Sequence, residues 1–379
     1  MKKCIVVPDS FKGSLSSRVA CEAIREVFLK LAPDCEVLSI SIADGGEGTV
    51  DCFEQALPNS QRIFVRGCGP YREPLEVSYL RRGDTAILEM AMCAGLPLVE
   101  GRENPLETTT FGVGEMIAAA VRSGCRHLIL GLGGSCTNDA GTGMAAALGV
   151  VFRDRLGRPF VPTGGTLSNI ADYDVSAAVD LLRGVEVTAM CDIDSPMHGP
   201  QGAAYVFAPQ KGASEEDVRV LDAGLKSVER VMTRKLGRCL AAVPGGGAAG
   251  AMGAGVLAFL GGKLKSWIDT VLDVVDFEGL ITGADLVITG EGRVDAQSCR
   301  GKVIAGIAKR AKRRGVPVVV LAGSVESGSE GLYDCGVTAM FSINRKYEPF
   351  EVSRHQAREN LSSAVDNLLR LWLQVERPG

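Results

Sequence analysis

Histidine is nearly absent from this chain: 379 residues contain three, His127, His198 and His355. Its twelve cysteines are scattered, with no C-x-x-C pair and no cysteine–histidine spacing of a metal finger. Those gaps argue against a structural zinc site and a c-type haem. Cys4, Cys21, Cys93, Cys125 and Cys191 stand in or beside apolar runs, where buried, reduced thiols are expected. Basic excess is lacking too. A formal charge of −4 gives no footprint for nucleic acid, so an anionic ligand must be met by local Lys and Arg. No apolar run approaches a bilayer span, and the short apolar stretch before Pro8 is too brief for a secretory signal. The expectation is a cytoplasmic protein without nucleic-acid or membrane partners. Aromatics are few, at 5%, while glycine is abundant at 47 residues. That mix suits an α/β protein whose strand-to-helix turns use glycine, and the length favours two domains.

What is present centres on His127 to Gly149, HLILGLGGSCTNDAGTGMAAALG. Leu128, Ile129 and Leu130 have the length of a buried strand, and Met144 to Leu148 reads as the start of a small-residue helix. Between them glycines alternate with Ser135, Thr137, Asn138 and Asp139. Such a turn lets backbone N–H groups approach an anion closely, and the polar side chains add donors. A phosphate cradle is the functional reading; a bare tight turn is the alternative.

The same grammar recurs along the chain. Cys4–Val7 reads as a buried parallel strand, followed by Asp9, Ser10 and Lys12, then a helix over about 17–31. A strand over 37–42 opens into Asp44-Gly45-Gly46-Glu47-Gly48. Open α/β sheets bind ligands outside the carboxyl ends of their strands, so Asp9, Lys12, Asp44 and Glu47 are placed to share a cleft. Thr108 to Thr110 precede a helix as N-caps. Val185–Cys191 is a strand ending at Asp192 and Asp194, candidates for a base or a metal ligand, or plain turn formers. Leu286–Thr289 opens into Gly290-Glu291-Gly292-Arg293-Val294-Asp295, and strands follow at 317–322 and 338–342. Gly245 to Gly250 with Asp269 formally matches a dinucleotide fingerprint, but no clear strand precedes either part. The basic end of the 302–314 helix reads as a solvated complement to the helix dipole. Composition shifts near residue 70. The expected architecture is a doubly wound, mostly parallel Rossmann-like sheet domain built from residues 1–70 and 285–379. A second α/β domain, 71–284, is inserted and carries the glycine-rich loop.

Two glycine-rich polar loops, basic turns and acidic strand ends suggest phosphoryl transfer. The G-x-x-x-x-G-K-[ST] motif and the protein-kinase signatures are both missing. Six segments in order, PDSFKGSLS (8–16), IADGGEGT (42–49), TTTFGVGE (108–115), GLGGSCTNDAGTG (131–143), FAPQKGA (207–213) and TGEGRVDAQS (289–298), closely resemble the bacterial type I glycerate kinases. The commoner family loop has Ala where Cys136 stands. The resemblance implies ATP- and Mg2+-dependent phosphorylation of (R)-glycerate to 2-phospho-(R)-glycerate in a cleft between two domains. Glycerate is a small anion, so Lys12 and Arg293 are candidates for its carboxylate, with Ser10 and Asp44 beside them. Gly133, Gly134, Ser135, Thr137 and Asn138 are assigned to the ATP phosphates. Asp44, Glu47 and Glu291 are assigned to Mg2+, and Asp192 to the base, with Asp295 as its rival; Lys12 and Arg293 are also counted as catalytic. The alternatives are the same kinase forming 3-phosphoglycerate, a nicotinamide-dependent hydroxy-acid dehydrogenase using Gly245–Gly250, and a hydroxy-acid sensor without turnover. A homo-oligomer is compatible with the reading.

Overall fold

A computed structural model describes residues 1–42, 49–299 and 303–375. Asp44 and Glu47, the expected metal ligands, lie outside the described residues. The chain divides into two units, Met1–Asp44 with Ile268–Gly379, and Gly45–Trp267.

The unit made from both chain ends holds a five-stranded parallel sheet. Its order is Ala339–Ser342, Val318–Val325, Leu286–Val294, Lys3–Pro8 and Glu36–Ser39. Side chains alternate between faces along each strand, as the two-residue period requires. Cys4, Val6, Leu286 and Ile288 join Ile24 and Phe28 of the Ser17–Leu31 helix and Leu361 and Leu369 of the Ala357–Val375 helix. On the other face, Val320 and Ala322 meet Ile304 and Ala308 of the Val303–Arg313 helix. The sheet is therefore doubly wound. The second strand in sequence lies on one side of Lys3–Pro8 and the third, Leu286–Val294, on the other. That reversal is the topological switch point, outside whose carboxyl ends open α/β sheets take their ligands.

The middle unit carries a six-stranded sheet in the order Lys263–Lys265, Glu186–Met190, His127–Gly131, Thr85–Glu89, Pro74–Arg82 and Gln61–Cys68. The first four run parallel, and the last two form an antiparallel hairpin edge. A small antiparallel sheet of Pro159–Phe160, Val151–Arg153 and Asp172–Asp174 accompanies it.

The unit boundaries differ from the sequence expectation of crossings near 70 and 285. Gln61–Cys68 pairs with Pro74–Arg82 along its whole length, so it belongs to the middle unit. The compositional change near residue 70 marks the hairpin turn instead: Gly69 N–H donates to Glu73 O, and Arg72 adopts a positive φ of 63°. The basic helix end also departs from expectation. Arg310 is not solvated, since its side chain is 11% exposed and pairs with Asp269, Asp273 and Glu278.

Candidate active site

In the end-built unit, the switch point brings the segment after Lys3–Pro8 beside the carboxyl end of the Leu286–Val294 strand. Ser17 ties down the strand ends, donating to Pro8 O at 2.6 Å and accepting Ile42 N–H at 2.9 Å. Asp9 N–H donates to Gly290 O at 2.8 Å. A Cβ on Gly290 would lie 1.9 Å from Leu321 O, and one on Gly292 3.2 Å from the Lys12 nitrogen. Gly290 leaves room for the Leu321 carbonyl of the neighbouring strand. Gly292 lets the Lys12 backbone pass close to the Leu286–Val294 strand, which runs on through Glu291 and Arg293 where the sequence reading placed a turn. Lys12 is exposed, and its ammonium makes no ion pair among the described residues. Ser10 is half-buried, its backbone N–H donating to Asp9 Oδ1 at 2.6 Å.

Arg293 is 64% exposed and lies between Asp295 at 3.2 Å and Glu326 at 3.7 Å. Exposed pairs of this kind are worth little and leave the guanidinium free to exchange partners. Glu291 is buried and accepts the Ser298 hydroxyl at 2.5 Å. Asp295 Oδ1 accepts Gln297 N–H at 2.8 Å. Among the described residues no group of three or more His, Cys, Asp or Glu side chains could enclose a metal. Mg2+ used with nucleotides needs only one or two carboxylates beside the phosphates, and Glu291, inside the Leu286–Val294 strand, and Asp295, just past its end, offer that oxygen chemistry.

The middle unit holds the glycine-rich loop. It leaves the His127–Gly131 strand, with Gly134 at φ +72°, Ala140 at φ +54° and Gly141 at φ +69°, and enters the short Thr142–Ala147 helix. Leu96 N–H donates to Gly134 O at 2.9 Å and Cys136 N–H to Ala94 O at 2.8 Å, clamping its outer half. Its inner half is backed by Gly250 and Gly255. A Cβ on either would lie 2.1 Å from Thr137 O or 2.3 Å from Ala140 O. Those contacts give the 245–250 glycines a packing role and dispose of the dinucleotide reading. No strand leads into them, and Asp269, the expected ribose ligand, pairs with Arg310.

Beneath the loop lie two buried charges. Asp139 is fully buried and accepts Thr110 N–H at 2.8 Å, Thr110 Oγ1 at 2.9 Å, Gly141 N–H at 3.1 Å, Gly143 N–H at 3.2 Å and Thr109 Oγ1 at 3.4 Å. Burial pushes its carboxyl up, and the hydrogen bonds from Thr110, Gly141 and Gly143 pull the other way. Only part of the threonine run serves its own helix: Thr109 Oγ1 accepts Phe111 N–H at 3.3 Å, while Thr110 is turned to Asp139. Thr110 makes no side-chain cap bond; its hydroxyl donates to Asp139 and accepts Met144 N–H at 2.8 Å. Lys211, only 2% exposed, donates to Ser135 Oγ at 2.8 Å and to Thr137 O at 2.7 Å. Burial pushes its ammonium down to about 8, opposed by Cys136 and Asp139. Neither Asp139 nor Lys211 stands among the sequence-derived candidates.

The five loop residues separate by depth. Gly133 is half-buried, Gly134 is exposed and Ser135 is 7% exposed, whereas Thr137 and Asn138 are wholly buried. Thr137 Oγ1 and both amide atoms of Asn138 have no hydrogen-bond partner among the described residues. Groups of that kind cost about 1–3 kcal/mol each when left unsatisfied, so three on adjacent residues mark a place with binding capacity in hand. Asp192, the expected base, sits past the Glu186–Met190 strand and is exposed; its Oδ1 accepts Trp267 N–H at 2.7 Å. One oxygen of that carboxylate thus holds the first residue of the Trp267–Val274 helix.

Comparisons with known proteins bear on the family. The model of the glycerate kinase family matches residues 4–373. The chain belongs to the glycerate kinase family. It is 44% identical to a glycerate kinase of Bacillus subtilis (strain 168), covering 97% of this chain and 96% of the relative. It is 39% identical to the glycerate 2-kinase of Escherichia coli (strain K12), covering 97% of each. A crystal structure from Salmonella typhimurium LT2, assigned as a glycerate kinase 2, superimposes with a TM-score of 0.84 at 36% identity, covering 99% of both chains. The six segments that carry the resemblance in sequence thus sit in a family match spanning nearly the whole chain. No helix among the described residues is long and apolar enough to cross a membrane.

Proposed function

We propose that this glycerate kinase family member transfers the γ-phosphoryl group of ATP to the 2-hydroxyl of (R)-glycerate, giving ADP and 2-phospho-(R)-glycerate. Family membership over residues 4–373 is the observation that carries this reading, and relatives named glycerate kinase and glycerate 2-kinase support it. The acceptor oxygen attacks the γ-phosphorus, the bond to the ADP oxygen breaks, and the hydroxyl proton must leave. Because the protein contributes little covalent chemistry to such a transfer, its work is positioning and charge stabilisation.

Lys12 and Arg293 are proposed to hold the glycerate carboxylate, with Ser10 and Asp44 on the substrate side. An exposed ammonium and an arginine in exchangeable surface pairs suit that task. Gly133, Gly134 and Ser135 are assigned to direct contact with the ATP phosphates, and the buried Thr137 and Asn138 to the support behind them. Asp192 is proposed as the base that takes the acceptor proton, held through one oxygen by Trp267 N–H. Asp295 is the residue to change next. Glu291, with Asp44 and Glu47, is proposed to hold Mg2+, which when bound supplies positive charge against the phosphates. The reaction is assigned to the cytoplasm.

The test is a coupled assay of ADP formation with and without (R)-glycerate and Mg2+. ADP release that requires glycerate supports the kinase. Binding of both ligands without turnover would support a sensor, and absence of ATP binding would overturn the assignment.

A further inference from the structure

The glycine-rich loop rests on a lysine that has no surface role. Lys211 sits in a short 3-10 turn, Pro209–Lys211, closed by Gly212 at φ +90°, and its side chain runs inward. Pro209 fixes that turn, and Glu103 packs on Gly212, so the backbone gives the ammonium little freedom. A buried lysine is unfavourable unless each N–H finds a good acceptor or an anion. Two of its partners are in the loop itself: Ser135 Oγ and Thr137 O, at 2.8 and 2.7 Å.

The chemistry of Ser135 follows from that contact. A hydroxyl has one donor and two acceptor lone pairs. An ammonium is donor-only, so it occupies a lone pair of Oγ and forbids the Ser135 hydrogen from pointing inward. The O–H is left to point away from the ammonium, and the adjoining Gly134 is exposed. Ser135 Oγ has no other hydrogen-bond partner among the described residues. The bond to Thr137 O at the same time fixes the peptide that precedes Asn138, whose amide is unpartnered.

We propose that Lys211 is a positioning residue for nucleotide phosphate: its buried ammonium aims the Ser135 hydroxyl outward as a donor and sets a positive charge directly behind the anion. This inference rests on the assignment of the Gly133–Ser135 turn to ATP. The groups facing Lys211 are the Asp139 carboxylate and the Cys136 thiol. Burial pushes that thiol up to about 12, so it stays neutral throughout the range of interest. Lys211 itself, pushed down to about 8, is the group that changes charge there. A phosphate above it favours the ammonium, so ATP binding at alkaline pH draws a proton onto the protein.

The experiment is titration calorimetry of the full-length protein with ATP, from pH 7 to 9, in buffers of different ionisation enthalpy. For the wild type, affinity should fall about tenfold between pH 7 and 9, with uptake of up to one proton per ATP near pH 8.5. Lys211→Arg keeps a fixed charge and should flatten the profile, with no proton uptake. Lys211→Met should bind at least about tenfold more weakly at pH 7, also without a pH slope. Ser135→Ala should reduce the penalty of Lys211→Met when the two are combined. A purely structural lysine would move the melting temperature and leave the ATP profile unchanged. If Lys211→Met fails to fold, the wild-type proton uptake and the Lys211→Arg profile decide alone, and a wild type that takes up no proton overturns the inference. ATP binding with this pH signature but no glycerate turnover would overturn the proposed function and leave Lys211 in its role. No ATP binding at all would overturn both.

Discussion

Lys211→Met carries a second, independent prediction, on stability. A lysine whose pKa is about 10.5 unfolded and about 8 folded is protonated in both states below pH 8. There the fold bears the full penalty of a buried charge, about 3 kcal/mol for a displacement of that size. Above pH 8 the folded protein releases the proton while the unfolded chain keeps it. Stability from this group therefore rises with pH until about 10.5, the direction expected when the unfolded state binds more protons. The gain is about 1 kcal/mol by pH 9 and about 2–3 kcal/mol by pH 10. Methionine removes the charge penalty but leaves Thr137 O without its donor, which costs about 1–3 kcal/mol. The two effects nearly cancel at pH 7. Urea unfolding of wild type and Lys211→Met at pH 7, 9 and 10 isolates the term, because other groups titrate alike in both proteins. The wild type should gain about 2–3 kcal/mol on the mutant between pH 7 and 10. A constant difference across that range would refute a buried, charge-switching lysine.

Asp139→Ala should destabilise strongly, by about 4 kcal/mol or more, since three backbone N–H groups and two hydroxyls lose their acceptor at once. Chemical unfolding measures it, and a loss under about 1 kcal/mol would show that the network relaxes. Lys12→Ala should lose at least tenfold in turnover with glycerate while changing stability by no more than about 0.5 kcal/mol, because the side chain is exposed. Normal turnover would return Lys12 to a solvated turn residue. Asp192→Asn keeps an acceptor for Trp267 N–H and should therefore fold normally, yet lose most of its kcat with ATP affinity intact. Wild-type kcat in that variant would move the base to Asp295.

The sequence made the end-built sheet legible because its strands are short β-branched runs with turns at their carboxyl ends. Cys4–Val7 and Leu286–Thr289 lie within parallel strands of one sheet, and 317–322 overlaps a third, Val318–Val325. The same logic put Lys12 past the end of Lys3–Pro8, where it lies, but it ended the next strand at Thr289, whereas that strand runs on to Val294 and includes Arg293. The unit boundary was not legible. The Gln61–Cys68 strand looks like the sheet it follows in sequence, and its partner is decided by an antiparallel hairpin whose turn resembles a linker. Two buried charges escaped notice for different reasons. Lys211 lies in a basic, proline-marked loop, and lysine is almost never fully buried, so composition argues for solvent. Asp139 draws donors from Thr109 and Thr110, about thirty residues earlier, a distance over which no local pattern speaks. The Arg310 cluster hid likewise, because its carboxylates come from the Trp267–Val274 and Phe277–Leu280 helices. Apolar periodicity reports which face is buried; it is silent on charges buried in pairs.

The central claim is the identity of the phosphorylated product. Phosphorus NMR of a rapidly quenched reaction of the wild-type protein with ATP, Mg2+ and (R)-glycerate tests it without reference to any single residue. The predicted spectrum contains ADP and 2-phosphoglycerate in equal amounts from the earliest time point. Only 3-phosphoglycerate would contradict the assigned acceptor hydroxyl, and ATP left intact beside either enantiomer of glycerate would contradict the kinase itself.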